Sequence, residues 1–239
     1  MARFAPLARE LNMALGVAYL EEWESGYPPR NSVTLIDRKG VLKYTYSKMH
    51  TCTWQGDEAG TEGGRRFFSA QLDVGDGNIT VGSIICADGA FMEASRHLAR
   101  LGVEVSLQPV ACQLPNATVG SGTANSAMAV DNAMAMVQVN HPHPLGCIST
   151  EGMGVPFGCV LTGNSVTTDH MGVAVAAAPY NTSGVFIAEI DIAGLRSYRD
   201  TPRGRALRTV QHNPDICRLR KDPSFGAHNF WNRTGGSVI

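Results

Sequence analysis

The sequence predicts an α/β fold with a mixed β-sheet, or with two packed sheets. Three observations support this prediction. Short apolar runs of strand length recur along the chain, pairs of them are joined by glycine-containing turns, and segments with helical spacing lie between them. At 239 residues, of which 44% are hydrophobic, the chain is long enough to bury a large core as a single domain.

The first half of the chain alternates helical and strand-like segments. Apolar positions at helical spacing predict a helix over 3–12, and a second, clearer one over 91–102, where Gly102 is a natural stop. Five apolar runs of strand length lie between them, at 15–21, 32–37, 41–46, 66–73 and 78–86. Gly40 and the GDG sequence at 75–77 mark two hairpin turns.

The second half continues the alternation and then changes character. A buried strand over 103–109 is followed by an alanine- and methionine-rich stretch that begins as a helix and ends as a strand near 135–140. Loops with short strands are expected over 141–170, two strands at 172–179 and 183–191, and a short helix at 193–200. Residues 200–239 are too polar to form a core and predict an extended tail lying on another surface.

Charge and composition exclude several classes of partner. Lys and Arg total 20 against 21 Asp and Glu, so no net field attracts nucleic acid or an anionic membrane. No apolar run reaches the length that spans a bilayer, the start does not resemble a secretory signal, and the six cysteines lack a disulfide spacing. A cytoplasmic protein with reduced thiols is expected. Charged residues make up only 17%, which favours a homodimer or larger homo-oligomer.

Two segments carry candidate chemistry. Cys86 ends a predicted strand just before a helix, where backbone N–H groups lower a thiolate pKa and stabilise an oxyanion. Lys48 follows a hairpin strand among uncharged neighbours and could act as a fixed cation beside that oxyanion. Each residue also has a purely structural interpretation, as a small buried cysteine and as a solvated lysine.

Together these segments resemble the nitrilase or carbon–nitrogen hydrolase superfamily. Lys48 stands within YSKMHTC and Cys86 within GSIICADGAFMEASRHLARLGVEV. The resemblance extends over most of 5–200, in matching order and spacing, through LARELNMALGVAYLEE, SLQPVACQL, DNAMAMVQVNHP and FIAEIDIAGLRSYR. It implies a four-layer α-β-β-α sandwich over residues 1–199, followed by the tail at 200–239.

The resemblance also implies an activity. Members hydrolyse a non-peptide C–N bond of a small amide, nitrile or N-carbamoyl compound through a cysteine thiolate and a covalent thioester or thioimidate, without cofactor or metal. By position Cys86 is the nucleophile, and Lys48 with the backbone N–H of Ala87 holds the oxyanion. Glu58 is the better match to the glutamate that fixes the lysine, with Glu62 as the fallback.

Substrate contacts are implied at Ala87 and, at the end of the strand before CQL, at Val110 and Ala111. The family's general-base glutamate lies in an N-terminal strand and helix unit and has no counterpart here, because the 47 residues preceding Lys48 match the part of the domain C-terminal to that unit. The resemblance therefore implies a domain without its first strand and helix. An alternative is a catalytically impaired relative that serves as a binding or assembly subunit.

A metal site formed by His141, His143 and Cys147 is a third hypothesis. Its spacing is loose and a second Cys/His pair is lacking, so the prediction remains that the chain holds no metal.

Overall fold

The computed structural model describes residues 1–53, 58–111, 123–142 and 163–209 of the chain. Met1–Arg208 form one compact unit, and Thr209–Ile239 form a second unit that lies beyond the described residues except at Thr209. Within the described ranges the strands form a three-stranded sheet and a six-stranded sheet. No helix in these ranges is long and apolar enough to cross a bilayer.

The three-stranded sheet is an antiparallel meander preceded by a short helix. Its elements are α1 (Phe4–Glu10), β1 (Leu15–Glu21), β2 (Arg30–Ile36) and β3 (Leu42–Ser47), with strand order β1-β2-β3. The carboxylate of Asp37 closes the β2–β3 turn by accepting the backbone N–H groups of Lys39 and Val41, each at 2.9 Å. Gly40 has a φ of +75° in this turn, which explains the glycine that marked the hairpin in the sequence.

The six-stranded sheet is mixed, as predicted. Its strands are β4 (Ser69–Asp73), β5 (Asn78–Ser83), β6 (Val105–Val110), β7 (Ala135–Asn140), β8 (Val166–Thr168) and β9 (Ala174–Ala177), in that order across the sheet. β5, β6 and β7 run parallel, whereas the outer pairs are antiparallel. The parallel connections pass through α2 (Met92–Arg100) and α3 (Ala124–Asn132), because a parallel pair requires a crossover.

Two apolar clusters define the layers. The cluster between the sheets joins side chains of β2 and β3 to side chains from β4 to β7: Val33, Leu35, Tyr44, Tyr46, Leu72, Val81, Ile85, Val105 and Ala135. A second cluster lies behind the larger sheet, where Ile84 and Met136 pack against Leu98 of α2 and Met128 of α3. With α1 in contact with β2 on the smaller sheet, the predicted α-β-β-α sandwich is confirmed.

The predicted strand at 183–191 is wrong. None of the described strands pairs with this segment, and Val185 and Ile187 are 92% and 83% exposed. Alternating apolar residues indicate a chain with two distinct faces, but a strand also needs a neighbouring strand for its hydrogen bonds. Helix α4 (Ile192–Asp200) follows as predicted, capped by the Asp191 carboxylate, and α5 (Pro202–Thr209) occupies the first part of the predicted tail.

Arg199 anchors α4 to the rest of the sandwich. The residue is 4% exposed, and its guanidinium donates to the carbonyl of Ala133 at 2.7 Å, to that of Gly102 at 3.3 Å, and also to the carbonyl of Val103. These carbonyls follow the C-terminal ends of α2 and α3, where the helix dipole favours a cation.

Replacing Arg199 by methionine is expected to lower the free energy of unfolding by about 3 kcal/mol, because three carbonyls, two of them buried, lose a charged donor. Urea denaturation would measure the change. Arg203→Met on α5 is the matched control, since Arg203 is exposed, and it should change stability by less than about 0.5 kcal/mol. Equal stability of the two variants would contradict the anchoring role.

Candidate active site

The lysine and the cysteine singled out in the sequence come from different sheets and meet at one place. Lys48 directly follows β3, and its N–H donates to the carbonyl of Asn31 on β2 at 2.8 Å, which prolongs the sheet by one residue. Cys86 comes three residues after β5 and begins a 3₁₀ helix, Cys86–Ala90. Lys48 is only 2% exposed, which excludes the solvated-lysine interpretation.

Glu58 and Cys52 hold the Lys48 ammonium group. Lys48 Nζ donates to Glu58 Oε2 at 2.6 Å and to Cys52 Sγ at 3.3 Å. The same carboxylate accepts the backbone N–H of Cys52 at 2.5 Å and the side-chain amide of Asn31 at 2.6 Å. Glu62 instead pairs with Arg30 at 2.7 Å, so of the two glutamates left open by the sequence, Glu58 is the one in contact with Lys48.

Both members of this ion pair are charged over the physiological range. Burial opposes the charge on Lys48, but attraction to Cys86 and the hydrogen bond to Glu58 outweigh it, and the pKa of Lys48 is raised. Burial likewise opposes the charge on Glu58, yet hydrogen bonds from Lys48, Asn31 and Cys52 lower the pKa of its carboxyl group. The site therefore holds a fixed cation beside Cys86.

Replacing Glu58 by glutamine is expected to destabilise the protein by about 2–3 kcal/mol at neutral pH, because Lys48 then keeps a buried charge without its counter-ion. Because the carboxyl pKa of Glu58 is lower in the folded than in the unfolded protein, the charged group stabilises the fold at pH values above the unfolded pKa, near 4.5. This stabilisation is lost as the pH falls through the folded pKa. The difference between wild type and Glu58→Gln should therefore shrink at acid pH. Urea denaturation at neutral pH and at about pH 4 measures it.

Glu62→Gln is the control for this prediction, since the Glu62 side chain is 23% exposed and pairs with Arg30 at the rim. It should cost less than about 1 kcal/mol. A Glu58→Gln difference that stays constant or grows on acidification would contradict the assignment.

The backbone of Cys86 is held in an unusual conformation. Its φ is +45°, in the left-handed region that residues with a Cβ rarely adopt. The Cys86 carbonyl accepts the Gln108 side-chain amide at 3.2 Å, and Gly89 leaves room for that amide, because a Cβ there would collide with it. Strained backbone of this kind clusters at functional sites.

Asp88 ties the cysteine turn to the lysine strand. It is fully buried and accepts hydrogen bonds from the Tyr46 hydroxyl at 2.6 Å, from Ile85 N–H at 2.9 Å and from His50 N–H at 2.9 Å. The His50 ring also bonds Asp88, through Nδ1 at 2.9 Å. Since Tyr46 and His50 flank Lys48 while Ile85 precedes Cys86, one carboxylate fixes both segments.

Cys52 is a site residue that the sequence reasoning missed. Its thiol accepts the Lys48 ammonium at 3.3 Å and interacts with the Cys86 side chain, and the residue is 8% exposed. The interaction with Cys86 and burial together raise the pKa of the Cys52 thiol. The signal in the sequence is its position four residues after Lys48, but the six cysteines share no short spacing that would single it out. Asp88 and Asn31 were missed for a similar reason, since their contacts join distant segments.

A cavity of about 550 Å³ lies at the ends of β6 and β7, bounded by β8, β9 and residues 182–188. Of the residues predicted to touch substrate, Val110 lines it, whereas Ala87 is half-buried and Ala111 is exposed. His141 also lines the cavity, while His143 and Cys147 lie outside the described residues. In the part of the chain that the structure describes, no three His, Cys, Asp or Glu side chains converge as metal ligands.

Comparison with known proteins places this site in context. A family model described as carbon–nitrogen hydrolase matches residues 1–200. An N-carbamoylputrescine amidase from Arabidopsis thaliana is 24% identical over 216 residues, covering 84% of this chain and 67% of its own length. A similar enzyme from Solanum tuberosum is 25% identical and covered over 66%. The chain thus spans about two thirds of the length of these relatives.

Solved structures show the same fold. A carbon–nitrogen hydrolase from Helicobacter pylori G27 superposes with a TM-score of 0.75 at 21% identity, over 90% of this chain and 74% of that one. A glutamate-to-leucine mutant of the amidase from Nesterenkonia sp. AN1 gives a TM-score of 0.62 at 21% identity, over 83% and 69%. In that amidase the acetamide moiety of fluoroacetamide is attached to the active-site cysteine.

Proposed function

Because the chain belongs to the carbon–nitrogen hydrolase family, we propose that it hydrolyses the C–N bond of a small amide or N-carbamoyl compound, with Cys86 as the nucleophile. The observation that carries the proposal is the buried Lys48 ammonium, held at 2.6 Å by Glu58 and in electrostatic contact with Cys86. A fixed cation beside a thiol stabilises both the thiolate and the oxyanion that forms when it attacks a carbonyl.

In the proposed reaction the Cys86 thiolate attacks the substrate carbonyl carbon. The oxyanion of the tetrahedral intermediate is held by Lys48 and by the N–H of Ala87, at the start of the 3₁₀ helix. The nitrogen takes a proton from water and leaves as ammonia or an amine, and a thioester remains on Cys86. A second water molecule then hydrolyses the thioester through a second tetrahedral intermediate, which releases the carboxylic acid and frees Cys86. Glu58 keeps Lys48 charged and in position through both steps.

The substrate class rests on the relatives and on the cavity. N-carbamoylputrescine amidases and the Nesterenkonia amidase carry amide-type substrates in their names. The cavity of about 550 Å³ is large enough for a small molecule, and it is lined by Val110 but not by Cys86, Lys48 or Glu58. We assign Val110, Ala111 and Ala87 to substrate contact from their positions in the family match. We expect small amides and N-carbamoyl amines to be better substrates than nitriles, because the relatives are amidases.

The test is a substrate panel with two readouts. The full chain would be incubated with short aliphatic amides, N-carbamoyl amines and nitriles, and ammonia release would be measured together with the mass of the Cys86 peptide. We expect ammonia from at least one amide or N-carbamoyl compound, and a haloacetamide adduct on Cys86 that forms faster than on Cys217.

Absence of turnover on the whole panel, combined with equal alkylation rates at Cys86 and Cys217, would overturn the proposal. That outcome would favour the alternative of a non-catalytic binding or assembly subunit. Slow turnover alone would not overturn the proposal, because the lack of the family's general-base glutamate costs on the order of 10²–10⁴ in rate.

A further inference from the structure

The active-site cluster contains a second thiol whose presence the proposed hydrolysis does not require. Cys52 and Cys86 are both present as thiols. Cys52 Sγ accepts the Lys48 ammonium at 3.3 Å, and the backbone N–H of His50, two residues before Cys52, donates at 2.9 Å to Asp88, two residues after Cys86. The interaction between the two side chains also raises the pKa of the Cys52 thiol. Thirty-four positions separate the two cysteines in the chain, so their contact is made by the fold and is not a local motif.

The two sulfur atoms are inequivalent. Cys86 is half-buried and lies beside the Lys48 charge, which stabilises a thiolate there. Cys52 is 8% exposed, and its backbone N–H is anchored to Glu58 at 2.5 Å. An oxidant reacts first with the more accessible thiolate, and of the two cysteines Cys86 is the more exposed.

We propose that Cys52 and Cys86 form a reversible redox pair in which Cys52 is the resolving thiol for the active-site cysteine. In the first step the Cys86 thiolate attacks a hydroperoxide, which gives a sulfenic acid on Cys86 and releases hydroxide or an alkoxide. In the second step the Cys52 sulfur attacks the sulfenic sulfur, so that an S–S bond forms and water leaves. The two thiols are oxidised by two electrons, and the hydroperoxide is reduced.

The disulfide would store the nucleophile in a recoverable form. Without a neighbouring thiol, a sulfenic acid proceeds with excess peroxide to a sulfinic acid, which ordinary thiols do not reduce. With Cys52 in contact, condensation competes with this second oxidation, and a dithiol reductant regenerates Cys86. The inference shares with the proposed function only the reactivity of Cys86, and its test does not depend on turnover.

The experiment uses the full chain, hydrogen peroxide and peptide mapping. Trypsin should release Cys52 within residues 49–65 and Cys86 within residues 67–96, each as the sole cysteine of its peptide. After peroxide treatment, blocking with iodoacetamide and digestion without reductant, we expect these two peptides joined, about 2 Da lighter than their sum. Alkylation of Cys86 should fall at least about tenfold and return after dithiothreitol.

Cys52→Ser is the discriminating variant, and Cys217→Ser is the matched control. In Cys52→Ser the Cys86 peptide should gain about 32 Da as a sulfinic acid, and dithiothreitol should not restore its alkylation. Cys217→Ser should behave as the wild type. Circular dichroism establishes that both variants are folded, and a partly unfolded Cys52→Ser would be replaced by Cys52→Ala.

A wild-type protein that accumulates sulfinic Cys86 without the 49–65 to 67–96 cross-link would overturn the inference. So would a disulfide that joins Cys86 to a different cysteine. If the expected cross-link forms while the substrate panel yields no turnover, the redox pair stands and the proposed hydrolysis fails. If a substrate turns over but the cross-link does not form, the proposed hydrolysis stands and the redox pair fails.

Discussion

Replacing Cys86 by alanine is expected to abolish hydrolysis, with a loss of at least about 10⁴-fold in rate. No covalent intermediate can form without the thiol, and Lys48 then faces an empty position. The substitution keeps the Cβ, so the backbone strain at φ +45° is the same in both proteins. The stability should therefore change by less than about 1 kcal/mol.

Ammonia release on the best substrate of the panel measures this loss, and thermal unfolding measures the stability. Cys217→Ala is the control, because Cys217 has no place in the proposed chemistry, and it should retain full activity. Ammonia release that survives Cys86→Ala, in protein free of contaminating amidases, would remove Cys86 from its proposed role.

Replacing Lys48 by methionine is expected to lower kcat/KM by about 10²–10³ and to slow alkylation of Cys86 by about tenfold at neutral pH. Methionine is similar in length and removes only the charge and its hydrogen bonds. Glu58 would retain the amide of Asn31 and the N–H of Cys52, but it would lose the ammonium at 2.6 Å. We expect a loss of about 3 kcal/mol in the free energy of unfolding as well.

Lys43→Met provides the control for Lys48→Met, since Lys43 is exposed on the same strand, β3. It should alter neither rate nor stability measurably. The double variant Lys48→Met with Glu58→Gln should recover part of the lost stability, because no unpaired charge remains buried, while alkylation of Cys86 stays slow. If Lys48→Met alkylates at the wild-type rate, the ammonium does not stabilise the thiolate, and the proposed role of Lys48 is wrong.

Patterns of short range in the sequence predict most of the fold. Strand β1 is predicted with its observed bounds, because the apolar run 15–21 is flanked by residues that do not continue it. Helix α2 follows from the common face of Ala94 and Leu98 and from the stop at Gly102. These signals are local, since a strand's alternation and a helix's period are properties of consecutive residues.

Contacts between distant segments are not predicted by the sequence patterns. The buried carboxylate of Asp88 reaches Tyr46 across 42 positions, and the Cys52 contact with Cys86 spans 34. Neither residue belongs to a spacing motif, and each alone fits a purely structural interpretation. The segment 183–191 is the opposite case, in which a local pattern predicts a strand that is not formed. Its alternation of apolar residues is local, but a strand would also need a pairing partner from a distant segment.

The proposed chemistry places its cation and its nucleophile on two different sheets. Lys48 follows β3 of the smaller sheet, and Cys86 follows β5 of the larger one. The two segments are joined by the hydrogen bonds of Asp88 to Tyr46 and Ile85, and the sheets themselves pack through an apolar cluster. A displacement of one sheet relative to the other by about one ångström would misalign the Lys48 ammonium and the Cys86 thiol, while every strand kept its hydrogen bonds. We therefore expect turnover to be lost on heating several degrees below the temperature at which the secondary structure unfolds. The temperature dependence of turnover would then report the alignment of the two sheets.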